Sequence, residues 1–108
     1  MPISPSSQRI IAIISAIPRG RLASYSQIAG WAGIPNGARR VARVLHSCSV
    51  KHGLPWHRVV KANGAIALPH DAGGSLQAGM LRSEGVEVSE NMQIDLKIYG
   101  WQPEIETF

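Results

Sequence analysis

The sequence lacks acidic residues over roughly its first two thirds. None of its seven Asp and Glu residues precedes Asp71, whereas nine of its eleven Lys and Arg residues lie before residue 62. Residues 1–70 therefore carry nine basic and no acidic side chains, and residues 71–108 carry two basic and seven acidic ones. This separation favours a surface that meets a polyanion, with nucleic acid as the leading candidate. The alternative is a charge asymmetry that serves only solubility.

Cysteine and long apolar runs are also scarce. Cys48 is the only cysteine, so no internal disulfide can form, and it makes no zinc-ligand pattern with the four scattered histidines. No apolar run approaches the length of about 18 residues that a membrane span needs, and no basic leader precedes the short apolar stretch at 10–17. We therefore expect a cytoplasmic protein, nucleoid-associated if its source is a bacterium, with no metal, no cofactor and no membrane partner.

The length of the chain bounds its organisation. A chain of 108 residues with 44% hydrophobic content fits one compact domain, 1–108, and is too short to divide into two. It contains no internal repeats or low-complexity tracts. No segment indicates dimerisation, so we expect a monomer.

Apolar periodicity predicts three helices in the first half of the chain, with a tight Gly-Ile-Pro turn between the second and the third. The side chain of Ser24 suits the N-cap of the second helix. Two short helices joined by such a turn are typical of a helix-turn-helix, here at about 24–47. The helices are predicted to begin near Pro5, Ser26 and Gly37, and the first two to end at Ile17 and Ala32.

The third predicted helix has one apolar and one basic face. Its apolar residues Val41, Val44 and Leu45 share a face at helical spacing. The basic side chains point away from that face and are therefore available to a phosphate backbone; they belong to Arg39, Arg40 and Arg43. The alternative is an ordinary solvated helix face.

A short β-hairpin is predicted beside the helices. The segments 59–61 and 65–67 are apolar at their centres and flank Ala62-Asn63-Gly64, which is a turn signal. Three helices with such a hairpin make a mainly α-helical fold of the winged-helix type.

The remaining segments predict a fourth helix and a packed tail. Leu76, Met80 and Leu81 indicate a helix that Gly85 closes in the left-handed conformation. Beyond Ser89, we expect the apolar residues to pack on the core, either as a helical turn that ends at Gly100 or as a strand. These tail residues are Ile94, Leu96, Ile98, Tyr99 and Trp101.

Several short motifs occur in a fixed order along the chain. Ser24-Tyr25, Gly33-Ile34-Pro35 and Ala38-Arg39 precede Pro55-Trp56-His57-Arg58-Val59-Val60, and Glu84-Gly85 follows. The set resembles the catalytic domain of the O6-alkylguanine-DNA alkyltransferases, whose core motif reads Pro-Cys-His-Arg-Val. With Trp56 at the place of the nucleophilic cysteine, the chain is similar to the alkyltransferase-like proteins, the non-catalytic branch of that family. The resemblance implies a winged helix-turn-helix domain like the C-terminal domain of those transferases.

The resemblance also implies which residues contact DNA. It places the third helix in the minor groove, where Gly37 and Ala38 allow close approach, and it places Tyr25 against the phosphate of a rotated nucleotide. Arg39 fills the vacancy in the stack, since a planar guanidinium can stack or pair with the orphaned base. Ser24 is a further candidate phosphate contact, although serines at this position more often cap helices. The alternatives for Tyr25 and Arg39 are a half-buried core tyrosine and an ordinary phosphate contact.

A lesion pocket follows from the same resemblance. In active transferases a histidine takes the proton of the cysteine through a water, and a glutamate orients that histidine. The matching residues here are His57 and Glu84, which we expect to shape the pocket rather than to catalyse. Trp56 is expected to line the pocket and stack on a flipped base, unless it only plugs an obsolete pocket. Val59 and Pro69 complete the predicted pocket.

Three further residues near the motif have expected roles. Arg58 is expected to tie loops together by hydrogen bonds. Pro69 stands where many active transferases have a tyrosine and some alkyltransferase-like proteins have an arginine, so cation–π clamping of the base is unavailable from that position, and His70 next to it is the alternative. Cys48 stands where active transferases have a supporting asparagine, and a small buried thiol is the expected state.

Three functions are consistent with these features. The first is a non-enzymatic sensor that binds double-stranded DNA in the minor groove, flips O6-alkylguanine into a pocket lined by Trp56 and flags it for nucleotide-excision repair proteins. An indole has no nucleophilic lone pair, so this protein would not be an enzyme. The second is a helix-turn-helix transcription regulator without lesion preference. The third is an active alkyltransferase using Cys48, which the demand for in-line attack disfavours.

Overall fold

The computed structural model describes residues 4–103, except for the side chain of His70. The chain forms five α-helices in that range, joined by loops that include two short 3-10 turns and two very short strands. The helices are α1 Pro5–Ala16, α2 Tyr25–Trp31, α3 Ala38–His52, α4 Gly74–Ser83 and α5 Leu96–Tyr99. The strands are β1 Ala23–Ser24 and β2 Val59–Val60, and the 3-10 turns are Trp56–Arg58 and His70–Ala72.

The first three helices form as the periodicity predicts. Ser4 caps α1 by accepting a hydrogen bond from the Ser7 amide at 3.2 Å, and Pro5 occupies the first turn, where its missing N–H costs nothing. α2 and α3 pack on each other and on α1, which gives the predicted helix-turn-helix arrangement. α3 extends past Leu45 to His52, where Gly53 takes the left-handed conformation at φ +61°.

The predicted hairpin is wrong in its strand pairing. The turn itself forms, with the Lys61 amide donating to the Ala65 carbonyl at 2.9 Å. However, β2 pairs in parallel with β1, in the register Ala23↔Val59 and Ser24↔Val60, while Ala65 forms an antiparallel bridge with Gln93. Val59 and Val60 are both almost fully buried, which suits a parallel ladder covered on both faces better than a half-exposed hairpin.

Two apolar clusters divide at this ladder. Ala23 and Val59 belong to the cluster formed by α1, α2 and α3. Leu22 and Val60, their neighbours in sequence, belong to the second cluster with Ala78 and Leu81 of α4 and with the tail. The two rungs of β1 and β2 therefore join the helix-turn-helix to the second half of the chain.

The fourth helix is confirmed, although one of its faces differs from the prediction. Gly85 follows it at φ +88°, as the C-cap signal predicts. Leu76 is 62% exposed and does not pack inward, whereas Gln77 is buried. Gln77 turns inward because its Nε2 donates to the carbonyls of His57 and Val59 at 3.0 and 3.1 Å, which satisfies a buried polar group.

Of the two predicted alternatives for the tail, a helical turn or a strand, the helical turn forms. Asp95 caps α5 through the Lys97 amide at 2.9 Å, and α5 ends at Gly100, which bridges to Leu22 in parallel. Ile98 is 57% exposed, so the expectation that it packs on the core is wrong. Within residues 4–103, no helix has the length and apolar character needed to cross a membrane.

Candidate nucleic-acid interface

The helix α3 presents a basic face to solvent. Arg39, Arg40 and Arg43 are exposed, while Val41 and Val44 on the opposite face are buried. The Nη2 of Arg40 donates to the Ser4 hydroxyl at 3.0 Å, so this side chain is partly engaged with the cap of α1. A row of exposed guanidinium groups on one helix can neutralise several phosphates of a DNA backbone.

Ser24 has a structural role at the start of α2. Its side chain accepts a hydrogen bond from the Gln27 amide at 3.1 Å, and the Gln27 side chain accepts one from the Ser24 amide at 3.0 Å. This reciprocal pair is a capping box, and Ser24 is only 2% exposed. The structure therefore does not support the predicted phosphate contact by this hydroxyl, because burial and capping already occupy it.

The turn before α3 requires a glycine at position 37. Gly37 is buried, and a Cβ at this position would lie 2.5 Å from the Cγ2 of Ile34. Asn36 beside it has a φ of +56°, which asparagine tolerates better than most residues. The small size of Gly37 is thus required by the turn itself, and its approach to a minor groove stays a prediction.

A groove of about 940 Å³ opens between α3 and the segments on either side of β2. Of the residues predicted to contact DNA or to form the pocket, four line this groove: Tyr25, Ala38, Arg39 and Trp56. Most of the other lining side chains are apolar, and they include Leu45, Val50, Leu54 and Leu68. An aromatic ring, a guanidinium group and an indole thus share one concave surface, which suits a planar heterocycle.

Three predicted pocket residues lie outside this lining. Val59 is 1% exposed and belongs to the helical core. His57 is buried as well, and Glu84 beside it has a side chain that is only 6% exposed. None of the three is among the residues that line this groove, and Val59 is held in the ladder and the helical core, so their part in shaping a lesion pocket stays a prediction.

Pro69 is also outside the lining, and Ala67 and Leu68 line the groove in its place. The carbonyl of Pro69 accepts hydrogen bonds from the Ala72 and Gly74 amides at 3.0 and 2.9 Å, so this residue begins a 3-10 turn with its ring exposed. The suggested substitute, the side chain of His70, lies outside the described part of the chain.

Glu84 joins three separate segments beside the groove. It accepts hydrogen bonds from His57 Nε2 at 2.7 Å, from Arg58 Nη2 at 2.8 Å and from the Gly20 amide at 2.9 Å. Arg58 also donates to the Ile17 carbonyl at 2.8 Å, which agrees with its predicted loop-tying role. Burial opposes the charge of Glu84, but Arg58, the Gly20 amide and His57 outweigh it and hold its pKa at about 2, against 4.5 ordinarily.

The network leaves His57 as the support of Trp56. Its Nδ1 is buried and has no hydrogen-bond partner within residues 4–103, while its ring packs edge-on against the indole with 6.1 Å between centroids. Partial burial raises the pKa of the Tyr25 phenol above its ordinary value, so this hydroxyl remains a hydrogen-bond donor at neutral pH.

Cys48 lies outside the groove, whereas two residues that were not predicted line it. Cys48 is half-buried, packs against the helical core and is not among the lining residues. Gln77 and Lys61 do line the groove. Periodicity assigns a polar residue such as Gln77 to the solvent side of its helix. Lys61 lies directly after the motif that ends at Val60, and the resemblance gives it no role. The sequence therefore did not indicate that either residue lines the groove.

Comparison with known proteins identifies the family. The model of the 6-O-methylguanine DNA methyltransferase DNA-binding domain matches residues 5–86. The DNA base-flipping protein of Vibrio parahaemolyticus is 41% identical over 97 residues, which cover 88% of this chain and 94% of that protein. Alkyltransferase-like protein 1 of Schizosaccharomyces pombe is 32% identical over 95 residues, which cover 83% of this chain and 88% of that protein.

Solved structures agree with this assignment. The crystal structure of S. pombe Atl1 in complex with damaged DNA containing O6-carboxymethylguanine superposes with a TM-score of 0.83 at 29% identity, covering 95% of this chain and all of that one. The mainly helical fold predicted from the sequence is thereby confirmed, with a parallel two-stranded ladder in place of the hairpin. The chain belongs to the family of the 6-O-methylguanine DNA methyltransferase DNA-binding domain, and within it to the alkyltransferase-like proteins.

Proposed function

We propose that the protein binds double-stranded DNA in the minor groove through α3 and holds an O6-alkylated guanine, rotated out of the stack, in the groove beside Trp56. It transfers no alkyl group and marks the lesion for nucleotide-excision repair proteins. The observation that carries this proposal is the convergence of Tyr25, Arg39 and Trp56 on one concave surface at the foot of a basic helix.

Each of the three residues has a role in this proposal. Rotating a nucleotide out of a duplex costs a few kcal/mol, so the protein has to compensate for the lost stacking. Arg39 fills the vacancy in the helix, and the Tyr25 hydroxyl contacts the phosphate of the rotated nucleotide. The indole of Trp56 stacks on or beside the extruded base, a contact worth about 1–3 kcal/mol. Arg43 and Arg40 hold the flanking phosphates.

The absence of transfer follows from Trp56 itself. The residue at the motif position of the nucleophilic cysteine is an indole, which cannot accept an alkyl group as a thiolate does. His57 and Glu84 then keep a structural function, since their side chains are little exposed and are bonded to each other. Cys48 packs into the core rather than into the groove, which supports the same conclusion.

A binding titration with a mass measurement tests the proposal. Two duplexes that differ only in one O6-methylguanine are titrated at the same near-physiological salt, and the intact protein is weighed afterwards. Preferential binding to the damaged duplex with an unchanged mass is the expected result. Equal binding would favour a transcription regulator without lesion preference, and a gain of one methyl group would show that a residue such as Cys48 is a nucleophile.

Variants separate the roles of the lining residues from general DNA affinity. Trp56→Ala and Arg39→Ala should reduce the preference for the damaged duplex, whereas Arg40→Ala should weaken binding to both duplexes alike. Leu76→Ala is the matched control, because this apolar side chain is exposed and does not line the groove. Equal loss of affinity for both duplexes in Arg39→Ala would remove its role in the stack.

The repair partners and the working compartment follow from the same proposal. Chromosomal DNA as target places the protein in the cytoplasm, on the nucleoid if its source is a bacterium. Hand-over to nucleotide-excision repair is an analogy with the family, and the exposed acidic residues after Asp71 are the first surface to test for that contact.

A further inference from the structure

We infer that the groove also selects among O6-adducts by charge, and that Lys61 gives it a preference for adducts that end in an anionic group such as a carboxylate. This inference rests on the proposed function. It concerns a residue that neither the motif nor the family assignment gives a role.

The size of the groove leaves room for more than a small adduct. Its volume of about 940 Å³ is at the upper end of the range of roughly 300–1,000 Å³ that ligand pockets occupy. A rotated guanine that carries only a methyl group would leave much of this volume unfilled. The apolar lining residues available to a larger adduct include Leu45 and Val50 of α3 and Leu68 of the segment after β2, and Val50 is 98% exposed.

Within residues 4–103, the lining of the groove has cationic side chains but no carboxylate. Its ionisable residues besides Tyr25 are Arg39, Lys61 and His46. Glu84, the carboxylate of the neighbouring network, is already bonded to Arg58 and His57. An anionic group in the groove would therefore meet cations without a competing carboxylate.

Lys61 is the cation that the proposed DNA contacts leave unused. In the proposed function Arg39 enters the base stack, whereas Lys61 belongs to a different segment of the lining, directly after β2. Its backbone is fixed by the turn, because its amide donates to the Ala65 carbonyl and its carbonyl accepts from the Gly64 amide, both at 2.9 Å. Within residues 4–103, no carboxylate forms an ion pair with Lys61. Its ammonium is thus available on a fixed backbone.

The apolar surroundings strengthen this selection. Leu54 and Leu68 also line the groove, and a bound base with its adduct would displace water from their surfaces. A charge pair in such partly dry surroundings interacts more strongly than the same pair in open water. The competing role for Lys61 is a contact with a DNA phosphate, which would act on every duplex equally.

Three duplexes of one sequence test the inference. They carry O6-carboxymethylguanine, O6-carbamoylmethylguanine or unmodified guanine at the same site, so that the first two differ in charge at nearly equal size. The wild-type protein should bind the carboxymethyl duplex about three- to tenfold more tightly than the carbamoylmethyl duplex at fixed salt and pH 7.5. Lys61→Met should bring the ratio of the two affinities to about one, while the preference for the carbamoylmethyl duplex over the unmodified one remains.

The control variant is Lys51→Met, because Lys51 is an exposed lysine of α3 that does not line the groove. If Lys51→Met lowers the affinity at all, it should do so by the same factor for all three duplexes. The preference for the carboxymethyl over the carbamoylmethyl duplex should remain. A carboxymethyl-to-carbamoylmethyl ratio near one in the wild type would overturn the inference, as would an equal loss of affinity for all three duplexes in Lys61→Met. Equal binding of modified and unmodified duplexes would instead refute the proposed function.

Discussion

Glu84 connects chain segments that lie far apart in sequence. Its carboxylate accepts hydrogen bonds from the Gly20 amide, from His57 and from Arg58, and Arg58 continues the network to Ile17. Hydrogen bonds to a charged acceptor are stronger than neutral ones, and removing one partner of a buried ion pair leaves the other uncompensated. The network therefore fixes the Trp56 turn against the loop after α1.

The pKa of Glu84 predicts how this network responds to acid. A folded-state pKa of about 2 lies below the ordinary 4.5, so the stabilisation is fully present above pH 4.5 and is lost as pH falls toward 2. Glu84→Gln should lower the free energy of unfolding at pH 7, and its difference from the wild type should shrink between pH 5 and pH 3, as measured by urea denaturation.

Glu87→Gln serves as the control for this experiment, since Glu87 is exposed and lies three residues further along the chain. Its free energy of unfolding should follow that of the wild type at each pH. A difference between Glu84→Gln and the wild type that stays constant from pH 7 to pH 3 would contradict the assignment of the acid-sensitive charge to Glu84.

Restoring the cysteine should not restore the reaction. In Trp56→Cys, the new thiol would face an open groove of about 940 Å³. No lining residue among those of 4–103 holds a methyl group in line with the sulfur. Attack on an alkyl carbon depends strongly on such alignment. We expect no sustained methyl transfer when the variant is incubated with an excess of O6-methylguanine duplex and weighed intact. Stoichiometric gain of one methyl group would refute this.

The motif predicted the aromatic and basic parts of the site but not its full outline. Tyr25, Arg39 and Trp56 belong to short motifs whose order along the chain is informative. Lys61 and Gln77 depend on how β2 and α4 meet, which is a long-range contact that local sequence does not encode. The burial of His57 likewise follows from tertiary packing.

The end of α4 provides a matched pair of glycines. Gly85 stands at φ +88°, and the Gly85 and Val86 amides donate to the carbonyls of Arg82 and Leu81 at 3.0 and 3.1 Å, as in a Schellman motif. Gly85→Ala should destabilise the protein by about 1 kcal/mol, because alanine resists a positive φ while no atom lies near its Cβ.

Gly79→Ala in the same helix should have the opposite sign. Gly79 lies inside α4 with open space around its Cβ, so alanine should stabilise the helix by about 0.5–1 kcal/mol. Thermal unfolding of both variants measures the pair. Equal shifts of the two melting temperatures in the same direction would contradict the assignment of Gly85 as the helix cap.

The basic face of α3 makes a prediction about salt. Arg43 is exposed and does not line the groove, so we expect it to contact a phosphate rather than the lesion. Arg43→Gln should weaken binding to damaged and undamaged duplexes alike and reduce the slope of log affinity against log salt by about one. Lys97→Gln, in α5, is the control and should leave the slope unchanged. A loss confined to the damaged duplex would assign Arg43 to the lesion.

Helices were predicted better than strands for a physical reason. The spacing of the isoleucines in α1 and the cap at Ser24 are local signals, and both helices form where these signals place them. The partner of β2 lies 36 residues away in sequence, whereas the hairpin partner suggested by the Asn-Gly turn is adjacent. Burial of Val59 and Val60 on both faces decided the pairing, and burial is a property of the assembled chain.

The assembly of the two apolar clusters predicts a single unfolding transition. They share the β1–β2 ladder, and Trp101 of the tail packs edge-on against Trp31 of α2 with 5.5 Å between ring centroids. Neither half can expose its core without disturbing the other, so helical circular dichroism and tryptophan fluorescence should report coincident transitions in urea. Two separated midpoints would show that the clusters unfold independently.

The two-rung ladder also limits how sequences of this fold can diverge in length. Ala23 and Val59 are partners in the ladder. Tyr25 lies two residues after Ala23, and Trp56 lies three residues before Val59. An insertion on either short path would shift one wall of the groove relative to the other, and a slip of one residue would exchange the faces of Val59 and Val60, which pack in different apolar clusters. Drift in ligand preference should therefore proceed by substitution around the ladder, while insertions and deletions are better tolerated in loops away from it, such as the exposed turn at 89–91.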